Sequence, residues 1–328
     1  MSGELPPALR AAVEALASEH PGRELAAASA ALSADYRAGH GTRFSRPVEL
    51  AAYAVTRMPA TFAAARAALT EAAARTDFAP ASLIDLGCGP GSAAWAAVEA
   101  FPTLSRAELV DSHAGMLTTG QRLAAGAPLA LADAAWTSLA IDEALKRPTS
   151  ADLVVASYAF NEFPAERLAA CAAALARLSR GLVVIVEPGS RAGFAAVRAL
   201  RDGLIAAGWS ILAPCPGNGA CPIRTPDWCH FSQRLPRLRA HRAAKGAEVP
   251  FEDEPYSYVA AAAPGIAVRP AAARVLRPPQ ARKPGTDFRL CTQSGITEEH
   301  VATRDRDRTR STRKCGWGDE FPLSMTNG

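Results

Sequence analysis

Ser82-Leu83-Ile84-Asp85-Leu86-Gly87-Cys88-Gly89-Pro90-Gly91 is the stretch on which the reading of this chain turns. A short apolar run ends in three glycines at alternate positions, and Ala-rich helical sequence follows. Strand, tight turn and helix are the elements this predicts. Glycine enters left-handed backbone without a steric cost and lets a ligand approach the main chain closely. Twenty residues past Gly91, the run Glu108-Leu109-Val110-Asp111 ends in an acid. A carboxylate at that place can accept both hydroxyls of a ribose.

Further strands follow along the chain. Leu129-Ala130-Leu131-Ala132-Asp133 reads as the third, with Asp133 placed to meet an adenine amino group. Asp152 to Ser157 is the fourth and Gly181 to Glu187 the fifth, while Trp209 to Leu212 and Tyr256 to Val259 complete the set. Apolar strands alternating with helices describe an α/β fold built on a parallel sheet covered on both faces. The turn begins with Asp85 rather than with the glycine of a dinucleotide dehydrogenase. The pattern therefore resembles the class I S-adenosylmethionine methyltransferases, with a Rossmann-like core. Its donor-binding candidates are Asp85, Gly87, Gly89, Gly91, Asp111 and Asp133. After the fourth strand, Asn161 and Glu162 could polarise a methyl acceptor, but a turn or cap role before the next helix suits them better. No catalytic residue is legible.

Residues 1–78 read as a helical extension with Leu9, Val13 and Leu16 on one face, and residues 79–263 as the core. A cysteine-rich insertion occupies 213–255. Residues 264–328 form a small β module, in which Arg304 to Arg310 reads as a solvated or RNA-facing strand. The 328 residues are 49% hydrophobic, which excludes a mainly disordered chain. No stretch reaches the roughly 18–20 apolar residues that span a bilayer, so no membrane partner is expected. The acidic N-terminus resembles neither a signal peptide nor an organelle presequence, and a bacterial cytoplasm is the expected setting, ahead of a mitochondrial matrix. Residues 1–200 carry 17 basic and 19 acidic side chains, whereas 201–328 carry 19 and 13. The positive half holds Arg224, Arg234, Arg237, Arg239, Arg242 and Lys245, candidates for phosphate contact.

Seven cysteines in a chain this long do not make a secreted disulfide framework. Three of them, Cys215, Cys221 and Cys229, stand in the spacing C-x5-C-x7-C among prolines and glycines, which fix turns able to aim thiolates at one point. This favours a metal centre. His230 adjoins Cys229 and points away in extended chain, so the fourth ligand falls to Cys291 or Cys315. Zinc usually takes closer C-x2-C knuckles, while wide spacing with one distant cysteine also suits a 4Fe-4S cluster, and the residues leave both open. Cys171, in Ala-rich helical sequence, reads as a buried small residue.

Larger motifs surround these cysteines. Asp227-Trp228-Cys229-His230-Phe231-Ser232, then Phe251-Glu252-Asp253-Glu254-Pro255-Tyr256-Ser257-Tyr258, together with Arg57-Met58-Pro59-Ala60-Thr61 and Arg313-Lys314-Cys315-Gly316-Trp317-Gly318-Asp319, resemble the Rsm22 family. The resemblance implies a methyltransferase-like protein that engages the small ribosomal subunit or its rRNA and supports its assembly and translation. It also implies a 4Fe-4S cluster on Cys215, Cys221, Cys229 and Cys291 that pins the C-terminal module, with S-adenosylmethionine as a second ligand and no DNA partner. Two other functions stay open: an active methyltransferase of rRNA or a ribosomal protein, and a small-molecule methyltransferase with structural zinc.

Overall fold

Local chemistry explains why each segment takes its shape. The computed structural model describes residues 3–38, 44–161, 163–246 and 248–323, so Glu162 lies outside the described residues. Among these residues no helix is long and apolar enough to cross a membrane. The chain divides into two compact units.

The first unit comprises Met1–Ala67, Ala79–Ala159 and Gln233–Glu254. Its helices α1 (Pro7–Ser18), α2 (Gly22–Ala38) and α3 (Pro47–Thr56) precede α4 (Met58–Ala74), whose end belongs to the second unit. Proline at the first position starts α1 and α3, where its missing N–H costs nothing. Then come β1 (Ser82–Leu86), α5 (Ser92–Ala100), β2 (Arg106–Asp111), α6 (Ala114–Leu123), α7 (Leu129–Ala132), β3 (Ala135–Ser138), α8 (Ile141–Ala144) and β4 (Ala151–Ser157). The strands lie in the order β3-β2-β1-β4, all parallel. All of β1 is buried, as a central parallel strand must be. Asp152 Oδ2 holds the start of β1 by accepting from Ala81 N, Ser82 N and Ser82 Oγ at 2.8–3.1 Å.

The second unit comprises Ala68–Phe78, Phe160–Ser232 and Pro255–Gly328. It contains α9 (Ala165–Leu178), β5 (Ser179–Pro188), α10 (Arg191–Ala206) and β6 (Ser210–Ala213). Two strands that begin or end in the first unit follow, β7 (Phe231–Pro236) and β8 (Phe251–Ala262), with α11 (Arg239–Lys245) between them. Here β8 runs antiparallel to both β5 and β6, giving the order β5-β8-β6. The chain ends in an antiparallel sheet of β9 (Ala273–Val275), β10 (Gln280–Arg282), β11 (Gly285–Thr292) and β12 (Gly295–Ala302), then α12 (Arg306–Thr312). Cys171 is buried in α9. A parallel β3-β2-β1-β4 order, with a late antiparallel strand between β5 and β6, is the strand plan of the class I methyltransferases. The chain has that Rossmann-like α/β fold.

Two expected elements are not as the sequence suggested. Leu129–Ala132 is the helical turn α7, because Pro128 at its cap and a run of Ala and Leu favour helix. The third strand is instead Ala135–Ser138, which carries Trp136 and Thr137. Arg304 to Arg310 is not a strand either. Asp305 accepts from Arg308 N at 3.1 Å and caps α12 in its place.

Candidate donor turn and cysteine cavity

In the first unit, the glycine turn joins β1 to α5. Gly87, Gly89 and Gly91 have φ of 67°, 52° and 88°, a conformation that side chains resist. Gly87 N and Cys88 N donate to Val110 O at 2.8 and 3.0 Å, which fastens the turn to β2. Asp111, at the carboxyl end of β2, accepts from Gly89 N through Oδ2 and from His113 N through Oδ1, both at 2.8 Å. Each carboxylate oxygen keeps a second lone pair for a ligand. Asp85 is fully buried: Oδ2 accepts from Ala94 N at 3.1 Å, and Oδ1 has no partner among the described residues. Burial, reinforced by the charge of Asp111, pushes its carboxyl up to about 7.

Asp133 does not join this group. It caps α7 ahead of β3, and β3 runs parallel to β2 with Ala135 beside Glu108 and Ser138 beside Asp111. Asp133 therefore lies at the amino end of the strand, away from the carboxyl edge where Asp111 sits. The acid that follows the actual third strand is Asp142, in the first turn of α8. Its neighbour Ile141 reaches within 3.1 Å of where a Cβ on Gly87 would stand. A strand boundary drawn six residues too early hid this residue. Tyr158, just past β4, is strained at φ 59° and donates to buried Glu254 at 2.7 Å. Arg57 lies 3.7 Å from the same oxygen. In the second unit, Phe160 N and Asn161 N donate to buried Glu187 at 2.8 and 3.1 Å, which gives Asn161 a turn role.

The second unit gathers four cysteines. Cys215, Cys221, Cys229 and Cys291 line one cavity of about 340 Å3 with Ile223, Leu276, Phe194, Arg201 and Arg274. Three segments supply them: the loop after β6, the residues before β7, and β11. Cys221, Cys229 and Cys291 pack against Ile223, Leu276, Phe194 and Ile296, so the surroundings are apolar. Burial, then the neighbouring thiols, pushes Cys229 well above the ordinary thiol range and Cys291 up to about 12. Cys215 is also raised by burial, against the opposing pull of Arg201. The loop that bears Cys215 and Cys221 is fixed at its carbonyls. Arg274 Nε donates to Pro214 O at 3.0 Å, Gln293 Nε2 to Pro216 O at 3.2 Å, and Arg201 Nη2 to Gly217 O and Gly219 O at 3.2 and 2.6 Å. Ser257 Oγ donates to Cys229 O at 2.7 Å.

Four sulfur donors on one cavity, Cys291 buried and the other three partly buried, are a set that soft metals select. Among the described residues no three His, Cys, Asp or Glu side chains are arranged to hold a single ion. His230 stacks on Trp228 at 4.9 Å and meets Trp317 edge-on at 4.9 Å. Cys315 packs instead against the core of the β module.

Arg201 and Arg274 were not singled out by sequence reasoning, although both carry a signal. Arg201 stands one turn past Val197 on the buried stripe of α10, and Arg274 interrupts an apolar strand.

The expected phosphate-contact residues are unequal. Arg234 is held bidentately by Asp253 at 2.7 and 2.8 Å and lies over Phe251. Arg237 and Lys245 both meet Glu252, at 3.2 and 3.0 Å. Buried His241 lies 3.0 Å from the same carboxylate. Burial alone would raise Glu252, but His241 and Lys245 outweigh it and hold the carboxyl well below its usual range. Arg242 reaches Glu248 O at 3.4 Å. No hydrogen bond or ion pair of the Arg224 or Arg239 side chain is found among the described residues.

A family profile described as mitochondrial small ribosomal subunit Rsm22 matches residues 47–322. The human ribosome assembly protein METTL17, mitochondrial, is 28% identical over 292 residues, 83% of this chain and 62% of that protein. The mitochondrial Rsm22-cox11 tandem protein 2 of Schizosaccharomyces pombe is 24% identical over 345 residues, 89% of this chain and 45% of the relative. The chain thus spans between about half and three fifths of the length of these relatives. Among solved structures, the magnesium protoporphyrin IX methyltransferase of Synechocystis PCC 6803 with bound S-adenosylmethionine is 14% identical. That match covers 70% of this chain and 89% of the other, with a TM-score of 0.39.

Proposed function

The chain belongs to the Rsm22 family, and from that premise we propose that it is a methyltransferase-like assembly factor of the small ribosomal subunit. In this reading it carries a 4Fe-4S cluster on Cys215, Cys221, Cys229 and Cys291. The observation that carries the reading is the gathering of these four thiols, from three separate segments, on one largely apolar cavity. A cluster supplies the charge that holds such thiols as thiolates, and it spreads its ligands over a larger body than a single ion does. The chain's own residues preorganise the site. Arg274, Gln293 and Arg201 fix the loop carbonyls, and Ser257 fixes Cys229.

S-adenosylmethionine is the proposed ligand of the glycine turn. Asp111 would receive its ribose, and Asp142, rather than Asp133, follows the third strand beside the turn. Arg224 and Arg239 are the residues best placed to contact rRNA phosphates, since their charge is not spent on internal carboxylates. The helical extension, core and cluster-pinned β module are proposed to follow the boundaries 1–78, 79–263 and 264–328. The relatives' names place those proteins in mitochondria, which leaves the expected bacterial cytoplasm without support from them.

Co-sedimentation with small-subunit precursors at rising salt tests the proposal. Association that weakens steeply with salt and is lost in Cys291→Ser agrees with it. Indifference to both counts against it. A second reading, methyl transfer to rRNA or a ribosomal protein, draws on Asp111 bound to the glycine turn. Asp111→Ala would then remove a methyl mark, whereas a pure assembly role leaves every mark in place.

A further inference from the structure

Arg201 sits on the apolar stripe of α10 with its side chain only 5% exposed. An arginine in that position has five N–H donors to satisfy. Nη1 donates to Asp202 Oδ1 at 2.7 Å, and both protons of Nη2 go to Gly217 O and Gly219 O at 3.2 and 2.6 Å. Nε is buried and has no hydrogen-bond partner among the described residues. Arg201 and Cys215 line the same cavity. A buried cation whose Nε–H is left over, on a cavity lined by cysteines, has a clear use.

We propose that Arg201 is a positioning residue for the metal site: with the metal bound, its unpartnered Nε–H would donate to the Cys215 sulfur, and its charge would offset the thiolates gathered around it. The inference rests on the cluster reading above. Bonds from outer groups to ligand sulfur fix the ligand's orientation and tune the metal, and their loss usually weakens metal retention about 10–100-fold. Nearby positive charge stabilises the more negative, reduced state of a cluster, so removing it lowers the reduction potential. Arg201 also anchors the Cys215–Cys221 loop, which makes two effects separable. Gln293 anchors the same loop through Pro216 O at 3.2 Å by a neutral amide.

The test uses the full chain purified without oxygen, as wild type, Arg201→Met, Arg201→Lys and Gln293→Leu. Each is followed by iron release to a chelator, by resonance Raman of the iron–cysteine stretches and by midpoint potential. Arg201→Met should release iron about 10-fold faster or more, shift a stretch assigned to one cysteine and lower the potential. Arg201→Lys keeps the charge in the fold and should shift the stretch with a smaller change in potential. Gln293→Leu loosens the same loop but removes no charge, so it should lower the potential less than Arg201→Met does. A wild type that binds iron, with an unaltered stretch and potential in both Arg201 variants, overturns the inference alone. A wild type that binds no iron overturns the cluster reading and the inference with it.

Discussion

Replacing Arg274 with methionine removes a guanidinium from the interior of the second unit while keeping most of its apolar stem. Arg274 is 1% exposed. It donates to Pro214 O at 3.0 Å, Gly318 O at 2.9 Å and Glu71 Oε1 at 2.5 Å. Each carbonyl loses a charged donor, a loss of about 1–1.5 kcal/mol. Breaking a buried ion pair from one side costs about 3–5 kcal/mol, but Glu71 keeps Arg75 at 2.7 Å and is 24% exposed. About 1 kcal/mol is therefore the share of that pair. The variant should lose about 3–4 kcal/mol, which at about 2 °C per kcal/mol for a large domain lowers the melting temperature by about 6–8 °C. Urea and thermal unfolding of Arg274→Met, Glu71→Gln and the double variant would measure this. The cycle should return a coupling of about 1 kcal/mol. A loss under about 1 kcal/mol would refute the view that Arg274 ties the cysteine loop to α4 and the β module.

Other perturbations bear on the remaining parts of the account. Burial raises Asp85 to about 7, so between about pH 4 and 7 the folded chain holds a proton that the unfolded chain releases, and stability falls as pH rises through that window. Asp85→Asn should flatten that slope in denaturant titrations, with the difference between the two proteins growing by up to about 4 kcal/mol from pH 4 to pH 8; parallel curves would contradict the burial argument. A Cβ on Gly91 would stand 3.1 Å from Trp136 and 3.2 Å from Leu109 at φ 88°, whereas one on Gly89 would meet nothing within 4 Å. Gly91→Ala should therefore cost about 1 kcal/mol more than Gly89→Ala and weaken donor binding by calorimetry, and equal effects would be evidence against a packed turn. In filter binding to small-subunit rRNA, Arg224→Ala and Arg239→Ala should each reduce the salt slope by about 0.7–0.9. Arg237→Ala should barely change it, because Glu252 already holds that side chain; the reverse ranking would remove the proposed RNA face.

The sheet was readable because its evidence is local. Ser82 to Gly91 states strand, turn and helix in ten residues, and all three glycines proved left-handed. Asp111 was placed for the same reason, at the end of a strand with one apolar period. Leu129 to Asp133 failed because a short Leu/Ala run has the same pattern as a helical turn and as a strand, and only Pro128 favoured the helix. Asp133 was misplaced with it. Arg304 to Arg310 has no apolar period, so only the capping role of Asp305 separated helix from strand. The three close cysteines marked the segment that lines the cavity, yet the residues that fix its loop come from elsewhere in the chain. Gln293 is 77 positions from the carbonyl it fixes, and Arg274 is 60 positions from Pro214. Charge counting could not rank the candidates for phosphate contact: only the fold shows that Arg234, Arg237 and Lys245 are each paired with a carboxylate.

The most direct measurement is iron and acid-labile sulfide, with Mössbauer and visible spectra, on protein purified without oxygen. The account predicts a brown protein with broad absorbance near about 400 nm and roughly four irons and four sulfides per chain. Iron should be lost in Cys291→Ser and retained in Cys315→Ser, whose thiol packs against the β-module core. A colourless wild-type protein holding stoichiometric zinc, with all four cysteines reduced and intact, would contradict it.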